Sequence, residues 1–245
     1  MYRNIKDVKL NYINYGNKEK ETLVFLHGWG QNIDMMKPIA DPFSKDFNII
    51  IIDLPGHGSS SEPNYAWQFS EFIDCVHILL EELKVVNPTL IGHSFGGKIA
   101  LYYASIYKVN KLILFGSPYK KGIQKISLKT KILKQMKKVP VVNKLEGFAK
   151  KHMGSTDYRN ASEIMREILV NHVNLDITDL VKKIKASTLI VWGTEDDAVP
   201  IEDARELESL IKNSGLVVYE GCTHYAYLER LNQTINVMRS FLESR

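Results

Sequence analysis

The sequence is short of cysteine and proline and has no long apolar run. Two cysteines, Cys75 and Cys222, and eight prolines occur in 245 residues. Two thiols in a chain this long make no disulfide framework, and they read as free thiols of a reducing compartment. No stretch reaches the roughly 20 apolar residues that span a bilayer. The opening residues, Met1-Tyr2-Arg3-Asn4-Ile5-Lys6-Asp7, lack the apolar centre of a secretory signal. A cytoplasmic protein is therefore expected. The net charge is only +4, too small an excess to suggest a nucleic-acid partner. No residues show metal-ligand spacing, and no glycine-rich loop has a phosphate-binding form, so neither metal nor organic cofactor is expected. Internal repeats and low-complexity tracts are also missing.

What is present suits a soluble globular enzyme. Apolar residues make up 44% and charged residues 24%, close to the average for such proteins. Six apolar runs each end in a turn: Val24–Leu26, Asn48–Ile52, Thr89–Ile91, Leu112–Phe115, Thr188–Trp192 and Leu216–Tyr219. Continuous apolar runs of this length fit parallel strands buried on both faces. Between them, Phe69–Leu83, Lys98–Tyr107, Ile201–Ile211 and Thr234–Leu242 carry helical spacing. Val8 to Ile13 alternates instead and predicts an antiparallel edge strand or hairpin. The fold class predicted is α/β, a mostly parallel, doubly wound sheet flanked by helices.

The alternation breaks after Pro118 and resumes near Lys185. Residues 118–185 predict a helical insertion, a lid, over a core made of 1–117 and 186–245. Met165, Ile168, Leu169, His172 and Val173 mark one helical stripe in it. From Lys120 to Lys151 there are eleven lysines and a single acidic residue, Glu146. The plain reading is a solvated helical face. Two sharper ones are attraction of an anionic substrate and contact with anionic lipid, with Ile132, Leu133 and Met136 facing inward.

Gly92-His93-Ser94-Phe95-Gly96-Gly97 fits G-x-S-x-G between a strand and a helix. A serine on that sharp turn has its Oγ exposed, and its small neighbours let other chain pass close by. Serine needs a base, and the base needs a third group to fix its tautomer. Among the histidines well after Ser94, His152 and His172 lie in the insertion. His224 follows an apolar strand on a loop, where a base is expected. For the acid, Glu195, Asp196 and Asp197 all sit at the end of one strand.

These motifs resemble the α/β-hydrolase superfamily over nearly the whole chain. The family's acid loop reads Gly-x-x-Asp-x-x-Val-Pro, matched by Gly193, Asp196, Val199 and Pro200, which selects Asp196. Its histidine loop is matched by Gly221, His224, Leu228 and Glu229. Asp53-Leu54-Pro55-Gly56-His57-Gly58 resembles a turn that is structural in the family, so Asp53 and His57 are read as non-catalytic. His27-Gly28-Trp29 resembles the His-Gly-x element whose last residue gives an oxyanion-hole N–H. The resemblance thus implies Ser94, Asp196 and His224 as the triad, with the backbone N–H groups of Trp29 and Phe95 as the oxyanion hole. His27 is read as a residue that fixes its loop.

The implied reaction is hydrolysis of a small to medium carboxylic ester through an acyl-enzyme. A thioesterase or a carbon–carbon bond hydrolase on the same triad is the alternative within catalysis. A ligand-binding or signalling protein that retains the triad is the alternative outside it. The partner expected is a small ester or thioester. Nothing in the sequence speaks to oligomeric state.

Overall fold

The computed structural model describes residues 1–121 and 161–244. Among these the strands are β1 (Tyr2–Ile5), β2 (Val8–Gly16), β3 (Thr22–Leu26), β4 (Asn48–Ile52), β5 (Thr89–His93), β6 (Lys111–Phe115), β7 (Ser187–Gly193) and β8 (Ser214–Tyr219). They form one sheet in the order β1-β2-β4-β3-β5-β6-β7-β8. β1 pairs antiparallel with β2, and β2 with β4. Every later pairing, from β4·β3 to β7·β8, is parallel. The six apolar runs are the six parallel strands, and the alternating segment is the hairpin strand that leads in.

Alternation along each parallel strand divides the core into two layers. Val24, Leu26, Ile50, Ile52, Leu90, Leu112 and Leu114 face one layer. Leu23, Phe25, Ile49, Ile51, Ile91, Ile113 and Phe115 face the other. With both faces covered, these strands can be apolar on both faces, as the four isoleucines after Asn48 in β4 are. Each fully buried Ile, Leu or Phe contributes roughly 2 kcal/mol.

The helices are α1 (Ile33–Ala40), α2 (Phe69–Glu82), α3 (Phe95–Ile106), α4 (Glu163–Asn174), α5 (Thr178–Val181), α6 (Ile201–Leu210), α7 (Ala226–Glu229) and α8 (Leu231–Glu243). Residues of α2, α3 and α6 cover the first layer, and residues of α1 and α8 the second. α3 begins three residues before the helical spacing does, because Gly96 and Gly97 carry no apolar side chain to register it. α1 has no expectation behind it. Its Pro38 disguises the pattern, while Asn32 caps it by accepting from Asp34 N at 3.0 Å.

α4 buries Met165, Ile168 and His172 of the expected stripe, while Leu169 is half-buried and Val173, at the helix's end, is exposed. Between β6 and β7 the described residues contain α4 and α5 and no strand. The lysines from 125 to 151, His152, Ile132, Leu133 and Met136 lie outside the described residues. Among the described residues no helix is long and apolar enough to cross a membrane.

Candidate active site

Ser94 stands between β5 and α3, at the C-terminal edge of the sheet's centre. Its backbone lies at φ 50° and ψ −112°, in a region that costs a residue with a side chain about 1–3 kcal/mol. Neighbouring chain holds it there. Ser94 N–H donates to Phe115 O at 2.9 Å, and Gly96 N–H donates to His27 O at 3.0 Å. The glycines make that contact feasible. A Cβ at Gly92 would stand 2.5 Å from Gly97 Cα, one at Gly96 would run into the Leu26 carbonyl, and one at Gly97 into Ser117 Oγ. The bulge-like turn thus packs α3 onto β3 and β6 and leaves Ser94 partly exposed.

The loop after β7 carries three carboxylates, and only one is buried. Asp196 is 7% exposed, while Glu195 and Asp197 are exposed. Asp196 Oδ1 accepts from Ala198 N at 2.9 Å and Val199 N at 2.8 Å. Its Oδ2 accepts from His224 Nδ1 at 2.7 Å. A carboxylate with both oxygens engaged this way cannot turn, so it presents a fixed acceptor to the imidazole.

His224 sits on the loop after β8, and this loop is tied to the acid loop. Glu195 N–H donates to Cys222 O at 2.9 Å, and Gly221 N–H to Thr194 Oγ1 at 2.9 Å. Glu229 pins the residue before the histidine by accepting from Thr223 N at 3.0 Å and from Thr223 Oγ1. The Thr223 hydroxyl bond holds the Glu229 carboxyl below its ordinary range. Gly116, at φ 51°, lies directly under the pair: a Cβ there would be 2.9 Å from His224 Nδ1 and 3.2 Å from Asp196 Oδ2. Since Phe115 O also holds Ser94 N, one turn, Phe115–Gly116, touches the serine on one side and the acid–histidine pair on the other.

A third loop, between β3 and α1, completes the setting. His27 is fully buried. Its Nδ1–H donates to Gly28 O at 2.7 Å, and its Nε2 accepts from Leu54 N at 3.0 Å. Burial, helped by the nearby His57, pushes its pKa down to about 4, so it is a neutral tether between two loops. Trp29 and Phe95 stack edge to face with centroids 5.2 Å apart. Neither the Trp29 nor the Phe95 backbone N–H donates to a backbone acceptor among the described residues; Phe95 opens α3 and has no helical acceptor. The Gly96–His27 bond ties the loop that carries Trp29 to the start of α3, next to Ser94.

The residues read as structural are engaged in structure. Asp53 Oδ1 accepts from Ile33 N at 2.7 Å, at the start of α1. Its Oδ2 accepts from Ser59 N and Asn11 Nδ2, each at 2.8 Å. His57 Nδ1–H donates to Pro55 O at 2.9 Å. His172 is buried in α4, stacked on Phe69 with centroids 5.6 Å apart and edge-on to Phe95 at 4.7 Å. Among the described residues no group of three or more His, Cys, Asp or Glu is arranged to hold a metal.

Two arrangements had no signal in the sequence. His93 links the base loop to the loop of Trp29, as developed below. Lys98, one turn into α3 and 1% exposed, donates to His172 O at 2.9 Å and Leu175 O at 2.5 Å. It thereby caps the C-terminus of α4 from the helix that carries the serine. Burial pushes its pKa down to about 8.

Comparison with known proteins agrees with this arrangement. Residues 21–138 match the α/β hydrolase fold family, and residues 172–244 match the TAP-like protein family. The chain is 28% identical to the AB hydrolase superfamily protein YisY of Bacillus subtilis, over 91% of each chain. It is 25% identical to the pimeloyl-[acyl-carrier protein] methyl ester esterase of Aliivibrio fischeri, over 91% of this chain and 94% of that one. Among solved structures, an esterase from Exiguobacterium antarcticum superposes with a TM-score of 0.76 at 25% identity, covering 97% of this chain and 96% of the other. The chain belongs to the α/β-hydrolase superfamily and is an enzyme of its esterase–lipase type.

Proposed function

We propose that the protein hydrolyses carboxylic esters of small to medium size, with Ser94 as nucleophile, His224 as base and Asp196 as the acid that orients it. The observation that carries the reading is the 2.7 Å contact from His224 Nδ1 to the buried Asp196 Oδ2, on a turn shared with the backbone of Ser94. Bonded at Nδ1, the neutral imidazole keeps its Nε2 lone pair free to take the serine proton. Asp196 then stabilises the imidazolium that forms. The N–H groups of Trp29 and Phe95 receive the negative charge that develops on the carbonyl oxygen. The leaving alcohol departs with the proton from His224, and water repeats the sequence on the acyl-enzyme.

We read α4 and α5, the described helices of the 118–185 insertion, as part of a lid over this site. The support is their place between β6 and β7 and the contact of α4 with the Trp29–Phe95 cluster through His172. The lysines at 121–151 make the sequence of the insertion basic, which suits an acyl group borne on an anionic carrier, whereas Lys120 is paired with Asp203 and Glu206. The Aliivibrio esterase, whose named substrate is an acyl-carrier-protein ester, favours the same direction.

A fluorophosphonate probe and p-nitrophenyl esters from acetate to palmitate test the reading. Wild type is expected to be labelled at Ser94 and to turn over, with Ser94→Ala and His224→Ala inert. The chain-length profile then sizes the acyl site. Absence of labelling in the wild type would overturn the assignment, and turnover of thioesters alone would replace the substrate class.

A further inference from the structure

His93 precedes the nucleophile and is fully buried at the end of β5. Its ring lies among the groups of two other loops. Centroids of His224, Tyr225 and Tyr227 are 4.8, 5.3 and 4.9 Å away. Its Nε2 is 3.1 Å from the His224 carbonyl oxygen, and its Nδ1 is 3.2 Å from Gln31 Oε1. Gln31 in turn accepts from Gly28 N at 3.0 Å and donates to Tyr225 Oη at 3.3 Å. A Cβ on Gly28 would stand 2.9 Å from His93 Nδ1, so the oxyanion loop rests directly on this ring.

The protonation of His93 follows from its surroundings. Burial, and after it the neighbouring His224 ring, hold its proton affinity far below that of a free imidazole. The ring is neutral and owns one N–H. Both neighbours are acceptors. Gln31 Oε1 already takes the Gly28 N–H, whereas the His224 carbonyl accepts no backbone hydrogen bond among the described residues. The proton therefore belongs on Nε2, where it holds the backbone of the base. Nδ1 then carries no proton to give Gln31 Oε1, and the ring meets Gln31 and Gly28 by packing alone.

We infer that His93 is a positioning residue: its Nε2–H holds the His224 backbone, and the bulk of its ring, packed against Gln31 and Gly28, supports the Gly28–Trp29 oxyanion loop, so that the two loops stay in register across the serine. The inference rests on the assignment of Ser94 and His224 made above. His93 touches no substrate. It acts because base and oxyanion donors sit on separate loops, at residues 224 and 29, and small misplacements of either weaken the transition state more than they weaken binding.

The test separates the N–H from the bulk of the ring. His93→Leu fills the space without a donor. His93→Gln carries an amide N–H at about the reach of Nε2. In His93→Leu, kcat on p-nitrophenyl butyrate is expected to fall about 10- to 100-fold, with KM within about twofold. His93→Gln is expected to recover kcat to within about fivefold of wild type. Gln31→Leu, at a partly exposed position that does not endanger folding, should lower kcat about tenfold.

Unchanged kcat in His93→Leu would overturn the inference. So would equal losses in His93→Leu and His93→Gln. If His93→Leu does not fold, His93→Gln decides alone, and a kcat loss beyond about fivefold in the folded variant overturns the inference. Ser94→Ala and His224→Ala run alongside. Should those two retain turnover, the catalytic assignment fails; should they lose it while the His93 and Gln31 variants stay fast, only the positioning role fails.

Discussion

Asp196→Asn tests the orientation of the site most sharply, because the structure dictates how the new amide must sit. Oδ1 receives two backbone N–H groups, from Ala198 and Val199 at 2.9 and 2.8 Å. In the variant the amide oxygen stays there, and the NH2 group turns to His224. The imidazole must then accept at Nδ1 and carry its proton on Nε2, facing Ser94, which is the wrong tautomer for a base. Turning the amide over would restore the tautomer but set NH2 against two buried N–H groups, at about 2–6 kcal/mol for the two lost bonds. By that cost alone kcat falls by about 30-fold to 10⁴-fold, and losing the carboxylate that stabilises the imidazolium adds to it. A drop of about 10³- to 10⁴-fold is expected, measured as kcat on p-nitrophenyl butyrate with circular dichroism to show an intact fold. Asp197→Asn, one residue on and exposed, should stay within about twofold. An Asp196→Asn enzyme within tenfold of wild type would refute the reasoning, as would an Asp197→Asn loss of equal size.

Three further outcomes follow from contacts described above. Lys98 has a folded pKa of about 8 against an ordinary 10.5, so between those values the unfolded chain binds a proton that the folded chain does not. Stability from this group therefore rises as pH goes from about 8 to 10.5, by up to about 3 kcal/mol, and urea midpoints should show the rise in wild type and lose it in Lys98→Met; parallel profiles would refute it. Gly96→Ala places a methyl against the Leu26 carbonyl, which should cost about 3 kcal/mol in urea unfolding and depress probe labelling of Ser94; a variant as stable as wild type would show that the elbow can shift. Asp53→Ala strands the N–H groups of Ile33 and Ser59, for a loss of about 3 kcal/mol with kcat of the folded enzyme near wild type; a selective loss of kcat would give Asp53 a catalytic role instead.

The legible parts of the sequence were those governed by local pattern. A parallel strand buried on both faces is apolar nearly throughout, so β3 to β7 announce themselves, and β8 shows as the apolar run Leu216–Tyr219 although only Tyr219 is fully buried. Ser94, Asp196 and His224 sit on motifs whose spacing reflects backbone geometry. Position alone left Glu195, Asp196 and Asp197 open, and burial separates them because only Asp196 has two N–H groups behind it. α1 was hidden because its start is fixed by Asp53, twenty residues away in the chain, and because Pro38 breaks its spacing. His93 and Lys98 gave no signal either. One occupies the unspecified place in G-x-S-x-G, and the other looks like any surface lysine until α4 folds over it.

The sheet order has a consequence for how the enzyme would lose activity. Ser94 follows β5, which lies between β3 and β6 in the interior of the sheet. His224 follows β8, the outermost strand, paired only through β7 and buried fully at Tyr219 alone. Edge strands fray at lower free energy than central ones. On the proposed assignment, brief excursions of β8 would carry away the base, His224, while the nucleophile, Ser94, stays folded. Mild heat or denaturant should thus abolish turnover while most secondary structure persists, and amide hydrogen exchange should run faster in β8 than in β5.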